Sequence, residues 1–188
     1  MGNRGILHDE NGVLGLARWR HPHWVTCRLE FKSRWRPVMR PHAYTELFFL
    51  DEATAFAAGH RPCAECRRPD YLSFLDAWAK ATGLAGRSTL RAVDVDRLMH
   101  AQRIRQGCRA QATYRANLAV LPDGSFVRMP DETDAWVVAG SRILRWSHAG
   151  YDLTQPRRRV DVEVLTPRPS VAAFKAGYRP MLHRTADR

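Results

Sequence analysis

Hydrophobic residues in the first part of the chain come in short runs broken by polar residues, a pattern that predicts strands. Residues 24–31 (WVTCRLEF) are predicted to form a strand that carries Cys27. Residues 38–39 are predicted to begin a second strand, and residues 45–50 (TELFFL) to form a third. The first 50 residues are therefore expected to be mainly extended.

From Asp51 onward, the spacing of apolar residues changes to that of helices. Asp51 is a suitable N-cap for a first helix, and Gly59 is predicted to end it. A second helix with a broad apolar face is predicted over residues 70–81, and a third over residues 94–106. Residues 83–89 between them are rich in small residues and are predicted to be a linker.

The last third of the chain has the pattern of a β structure. A turn at residues 122–124 precedes two apolar runs, 135–139 and 142–147, which are predicted to form a hairpin. Residues 160–165 alternate apolar and acidic side chains and are predicted to form another strand. We therefore expect this part to be mainly antiparallel β.

One short pattern occurs twice. Residues 57–63 read AAGHRPC and residues 175–181 read KAGYRPM. Glycine can adopt the left-handed conformation that ends a helix, and a proline soon afterwards prevents the helix from continuing. The pattern predicts a helix that ends just before each glycine.

Together these elements predict an α+β fold in three parts. Residues 1–82 would form a small α/β module, and residues 83–117 a linker and a helix. Residues 118–188 would form the mainly β region.

Composition adds charge to this picture. The formal net charge is +11, and 27 of the 30 basic residues are arginine, which can hold a phosphate with two hydrogen bonds. A basic surface of this kind favours nucleic acid as a partner, although a compositional bias toward arginine would give the same excess. The sequence contains neither a long apolar run nor a secretory signal pattern, so a cytoplasmic protein is expected.

The strongest chemical motif is the pair Cys63-x-x-Cys66, which follows the predicted end of the first helix. In a reducing compartment such a pair is typical of a zinc site, and zinc usually takes four ligands. We predict Cys27 as the third ligand and His42 as the fourth. His60 and Cys108 are the alternatives, and ordinary packing would equally explain Cys27, His42 or Cys108.

The surroundings of this motif resemble a known family. An aromatic strand precedes a helix with a Glu-Ala pair, the helix ends at Ala-Ala-Gly, and Arg-Pro-Cys-x-x-Cys is followed by Pro-Asp. The residues concerned are Phe48, Phe49, Glu52, Ala53, Ala57, Ala58, Gly59, Arg61, Pro62, Cys63, Cys66, Pro69 and Asp70. Over residues 24–70 the chain resembles the metal-binding domain of Ada, a protein that repairs methylphosphotriesters in DNA.

The resemblance implies a zinc-binding α+β module that contacts the DNA backbone, with Cys63 and Cys66 as zinc ligands. Repair members of the family carry two cysteines ahead of the helix, and the first of them accepts the methyl group. This chain has only Cys27 in that region, so Cys27 would have to serve as both ligand and acceptor.

Two further sets of residues are candidates for function. Asp96 and His100 lie four residues apart on the third predicted helix, where they can orient each other for proton transfer or can simply belong to a surface ion-pair set. Basic and aromatic residues near the motif are candidates for contacts with nucleic acid. These are Arg34, Trp35, Arg36, Arg40, Arg61, Arg67 and Arg68.

The sequence therefore predicts a zinc-containing protein that binds nucleic acid, with DNA as the expected partner. One alternative is an enzyme that acts on nucleic acid, either an alkyl-acceptor repair protein or a nuclease. Another is a zinc-stabilised module for protein interaction, in which the positive charge has no role.

Overall fold

The fold is described by a computed structural model that covers residues 1–33, 37–83 and 91–187. Its N-terminal part contains a small three-stranded sheet of β1 (Gly2–Asn3), β2 (Val25–Thr26) and β3 (Arg61–Pro62). Strand β2 lies in the centre, antiparallel to β1 and parallel to β3. Each strand is only two residues long, so packing around the sheet must supply most of its stability.

Three helices follow β2 in the chain, and β3 lies between the first two of them. They are α1 (Glu52–Ala57), α2 (Arg68–Thr82) and α3 (Ala92–Arg103). The Asp51 side chain accepts a hydrogen bond from the backbone N–H of Thr54, which confirms the predicted cap of α1. Helix α2 carries a proline in its first turn and ends at Gly83, which has the left-handed conformation.

The second half of the chain forms a six-stranded antiparallel sheet. Its strands are β4 (Tyr114–Asn117), β5 (Phe126–Arg128), β6 (Ala135–Ala139), β7 (Arg142–Ser147), β8 (Gly150–Pro156) and β9 (Asp161–Val164), in the spatial order β4-β9-β5-β6-β7-β8. Helix α4 (Arg168–Lys175) follows the sheet. The predicted α+β class and the antiparallel C-terminal sheet are confirmed.

The beginning and the end of the chain share one hydrophobic core. The Phe56 ring of α1 lies 5.4 Å from that of Phe74 in α2, 5.1 Å from Phe174 in α4 and 5.4 Å from Tyr178. These rings belong to a single buried cluster that extends to Val95 and Met99 of α3. The division into three parts stays a prediction, but the first and third parts pack against each other through this core.

Two adjacent carboxylates strengthen the same junction. Glu52 is buried and accepts hydrogen bonds from the Tyr178 hydroxyl at 2.6 Å and from the Met181 backbone N–H at 3.0 Å. Asp51 accepts from the Tyr151 hydroxyl at 2.6 Å and from the His183 backbone N–H at 2.9 Å. The adjacent carboxylates of Asp51 and Glu52 therefore connect the N-terminal region to the C-terminal segment.

Several predicted strands are wrong or too long. Only Val25–Thr26 of the predicted strand 24–31 is extended in a sheet. Met39 has a positive φ of 59°, which no strand allows, so no strand begins at residues 38–39. Residues 45–50 contribute one isolated bridge, between Leu47 and Gly2, because the chain turns almost at once into α1.

The predicted helices and hairpin agree better with the structure. Helices were expected over residues 70–81 and 94–106 and are observed as α2 and α3, with ends displaced by one to three residues. Strands β6 and β7 form the predicted hairpin, and β9 lies within residues 160–165. Helix α4 was expected only through the repeated glycine pattern. Both repeats end a helix, and Gly59 and Gly177 have φ values of 82° and 117°.

The predicted linker at residues 83–89 lies outside the described residues apart from Gly83. Among the helices formed by the described residues, none is long and apolar enough to cross a lipid bilayer.

Candidate metal centre

The pairing of two very short strands brings three cysteines together. Strands β2 and β3 are parallel, with Thr26 opposite Pro62, so their carboxyl ends meet at the same edge of the sheet. Cys27 directly follows the first strand and Cys63 the second, and the Cys63 backbone N–H donates to the Thr26 carbonyl at 3.0 Å. A turn then returns the chain toward the pair, and Cys66 joins it just before α2 begins.

The spacing of the three sulfurs suits a metal ion. The Sγ atoms of Cys27, Cys63 and Cys66 all lie within 4.8 Å of one another. Zinc bound tetrahedrally at about 2.3 Å from each sulfur needs sulfurs about 3.8 Å apart, so small side-chain adjustments are enough. The Arg28 backbone N–H also donates to Cys66 Sγ at 3.4 Å, a contact that favours a thiolate. These three cysteines can hold a metal ion, as predicted.

The three thiols differ in acidity. A hydrogen bond from the Cys27 thiol lowers the pKa of Cys63 to about 5, and the backbone N–H groups of Cys66 and Glu65 add to the effect. That same hydrogen bond, together with burial, raises the pKa of Cys27, and burial raises that of Cys66. Cys63 is therefore the first thiolate of the cluster, and a bound cation would favour ionisation of the other two.

Two cavities meet at this cluster. One has a volume of about 540 Å³, and the three thiols form part of its wall together with apolar side chains. The other has a volume of about 700 Å³ and includes Cys27 in its wall, together with Arg28, Arg67 and Arg179. Cys27 thus lines both cavities, and a metal ion at the cluster would lie beside open space.

The other predicted metal ligands do not join the group. His42 is exposed and has a positive φ of 61°. His60 is buried away from the thiols, where Arg4 Nε donates to its Nε2 at 3.3 Å, and burial among arginines lowers its pKa well below the usual value. Cys108 is exposed. Within the described residues, the cluster consists of Cys27, Cys63 and Cys66 alone.

Asp96 and His100 do not form the predicted acid–imidazole pair. Asp96 is buried and accepts two hydrogen bonds of 2.6 Å from Arg61, and a third contact of 2.8 Å joins it to His23 Nδ1. His100 Nδ1 instead lies 3.2 Å from Arg103 Nη2. Asp96 is committed to a buried ion pair, which removes it as a partner for proton transfer by His100.

Two of the predicted nucleic-acid contacts, Arg61 and Arg67, take part in ion pairs within the protein. The Arg61 side chain is 4% exposed and belongs to the pair with Asp96. The Arg67 side chain is 13% exposed, and it binds Glu52 at 2.6 Å and Asp70 at 2.9 Å. Both guanidinium groups already have carboxylate partners, which makes them weaker candidates for phosphate contacts than unpaired arginines.

The remaining basic candidates are exposed or fall outside the described part of the chain. Arg40 and Arg68 are exposed, whereas Arg34, Trp35 and Arg36 lie outside the described residues. The sequence reasoning missed Arg28 and Arg179, two exposed arginines in the wall of the larger cavity. Arg28 directly follows a predicted ligand and Arg179 lies in the second glycine repeat, so both could have been chosen as candidates from the sequence.

Comparisons of the chain with protein-family models, with curated proteins and with solved structures found no match. The resemblance to the Ada metal-binding domain therefore stays a prediction.

Proposed function

We propose that this chain is a zinc protein that binds nucleic acid, with DNA as the expected partner. The observation that carries the proposal is that Cys27, a member of the three-thiol cluster, lines the 700 Å³ cavity together with two exposed arginines, Arg28 and Arg179. Thiolates are preferred zinc ligands, and arginines are the usual partners of phosphates. The net charge of +11 gives the whole molecule the sign that a polyanion requires.

Arg28 and Arg179 are the arginines best placed for this role. Among the described residues, no acceptor binds the Arg28 side chain, and Arg179 donates to a single carbonyl, that of Phe174, at 3.2 Å. By contrast, the guanidinium groups of Arg61 and Arg67 are paired with carboxylates. Arg40 and Arg68 are exposed and can extend the same basic surface.

A salt titration of DNA binding tests this role. Each phosphate contact contributes about −0.9 to the slope of log affinity against log salt concentration. The double variant Arg28→Ala/Arg179→Ala should reduce the magnitude of the slope by about 2, since two contacts are lost. Arg115→Ala/Arg158→Ala is the matched control, because it removes the same charge from two exposed arginines that do not line the cavity. Equal slopes for the two double variants, or no DNA binding at low salt, would contradict the proposal.

A second candidate function is transfer of an alkyl group from DNA to Cys27. It is favoured by the position of this thiol in the walls of both cavities, where a substrate on the basic side can reach it. The sulfur would attack the methyl carbon of a phosphotriester, so that an S–C bond forms, a C–O bond breaks and a phosphodiester leaves. Bound zinc would supply a deprotonated thiolate for this attack.

Mass analysis after incubation with DNA containing methylphosphotriesters tests this activity. We expect the protein to gain one methyl group, located on Cys27 by peptide mapping. Cys27→Ser should gain none, and Cys108→Ser should react like the wild type because Cys108 lies outside the cluster. A wild-type protein that holds zinc and binds this DNA but stays unmodified would exclude the acceptor function and leave DNA binding in place.

A further inference from the structure

We infer that the metal centre has only three protein ligands, and that its fourth coordination position opens on the 540 Å³ cavity and accepts a small thiolate with an apolar body. The inference rests on the proposed zinc site and goes beyond it, because it assigns the centre a ligand from outside the chain. Structural zinc sites are normally closed by four protein ligands, whereas sites with three leave one position for solvent or substrate.

The count of three covers all the usual zinc-binding side chains of the chain. Residues 34–36, 84–90 and 188, which lie outside the described ranges, contain only Arg, Trp, Leu, Ala, Gly, Ser and Thr. Every Cys, His, Asp and Glu therefore lies in the described ranges. Among these residues, only Cys27, Cys63 and Cys66 bring their ligand atoms within 4.8 Å of one another.

Two carboxylates near the cluster are the obvious competitors for the fourth position. Glu46 and Glu65 line the same cavity as the thiols. However, Glu46 Oε2 accepts a hydrogen bond from the Met39 backbone N–H at 2.9 Å, and Glu65 Oε1 lies 3.8 Å from Lys32 Nζ. Neither carboxylate has an oxygen within 4.8 Å of all three sulfurs.

The walls of the cavity indicate what can enter it. Seven apolar or aromatic residues line the same space as the sulfurs: Met1, Val25, Leu29, Phe31, Val38, Tyr44 and Phe48. A volume of about 540 Å³ is in the range of small-ligand sites. An apolar wall favours a ligand with an apolar or aromatic body, and a soft metal–thiolate centre favours a sulfur donor.

Charge is compatible with an anionic sulfur ligand. Zinc with three thiolates has a net charge of −1, and a fourth thiolate gives the −2 of the common four-cysteine donor set. Arg28 directly follows Cys27, and Lys32 Nζ lies 3.8 Å from Glu65 in the wall of the same cavity. Both are exposed cations that can offset this charge. A monodentate thiol with one aromatic ring therefore satisfies the donor preference, the wall and the charge together.

The absorption bands of cobalt(II) in place of zinc provide the test, because their d–d transitions report the ligand set directly. Benzenethiol is the probe, and benzenesulfonate is the control, since it has the same ring and an anionic head but no soft donor. We expect saturable changes in the d–d bands with benzenethiol and none with benzenesulfonate, while gel filtration shows that cobalt stays with the protein. Phe48→Ala should bind cobalt equally well and weaken benzenethiol binding by about 3–10-fold, the value of one aromatic contact.

The possible failures are distinguishable. If the d–d bands of a protein holding one cobalt per chain do not change with benzenethiol, the open coordination position is overturned and the metal site is left intact. Bands that change in Glu65→Gln or Glu46→Gln without added ligand would show that a carboxylate completes the centre, and would also overturn the inference. A protein that binds no cobalt or zinc would overturn the inference and the zinc site together. DNA binding is measured separately by the salt titration.

Discussion

Replacement of Asp96 by asparagine is expected to lower the free energy of unfolding by about 3–5 kcal/mol, the typical cost of removing one partner of a buried ion pair. Asp96 is 1% exposed and holds the Arg61 guanidinium, itself 4% exposed, with two hydrogen bonds. Asparagine keeps the shape but leaves the Arg61 charge buried without its counterion. Chemical denaturation of the wild type and the variant measures the difference.

The surroundings of Asp96 make this loss larger than the pair alone suggests. Arg103 is fully buried on the same helix, and burial lowers its pKa to about 9, an effect that Asp96 partly opposes. Arg4 and Arg103 stack on the Trp24 ring at 3.9 and 4.1 Å from its centroid. Removal of Asp96 therefore takes a negative charge from a region that contains the buried cations Arg61 and Arg103 and the partly buried Arg4.

The chain offers a matched control two residues earlier on the same helix. Asp94 also pairs with an arginine, Arg91, at 2.9 Å, but that pair is exposed to solvent. Water screens such pairs, so Asp94→Asn should change stability far less than Asp96→Asn. Similar losses for the two variants would contradict the buried ion pair.

Removal of zinc by a chelator is expected to be the second large effect. A ligand present at about 100 times its dissociation constant stabilises the folded protein by about 2.7 kcal/mol, and chelation should remove at least this amount. The reason is local: Cys27 and Cys63 follow strands of only two residues, and Cys66 precedes α2, so one ion would connect all three segments. The thermal unfolding temperature with and without chelator measures the effect.

The variant Cys63→Ser/Cys66→Ser should unfold at the same temperature with and without chelator, since it has no site to empty. Acidification should imitate the chelator in the wild type, because protons compete with the metal for the thiolates. A wild-type protein that contains zinc but whose unfolding is insensitive to its removal would contradict the structural role of the ion.

Much of the cysteine cluster could be predicted because its signals are local. The Cys63-x-x-Cys66 spacing, the glycine that ends α1 and the cap at Asp51 are all encoded within about 20 residues. Cys27 was predicted correctly as the third member because a cysteine on a strand ahead of the helix can approach a later pair. The parallel register of β2 and β3, which produces that approach, is decided by tertiary packing.

The failures have a common physical cause, which is long-range pairing. Asp96 was matched with His100 because the two are neighbours on one helix face, but its true partner, Arg61, is 35 residues away in the sequence. Still larger separations, of 126 and 129 residues, hid the bonds from Tyr178 and Met181 to Glu52. Residues 45–50 have strand-forming side chains, yet only Leu47 finds a partner, at Gly2, because an extended run becomes a strand only beside another one.

The central claim is that Cys27, Cys63 and Cys66 together hold one zinc ion. The most direct test is elemental analysis of protein dialysed against metal-free buffer, for the wild type, Cys27→Ser, Cys63→Ser/Cys66→Ser and Cys108→Ser. We predict one zinc per chain in the wild type and in Cys108→Ser, and a clear loss in the other two. A wild type without zinc, or undiminished zinc after loss of Cys63 and Cys66, would contradict the claim.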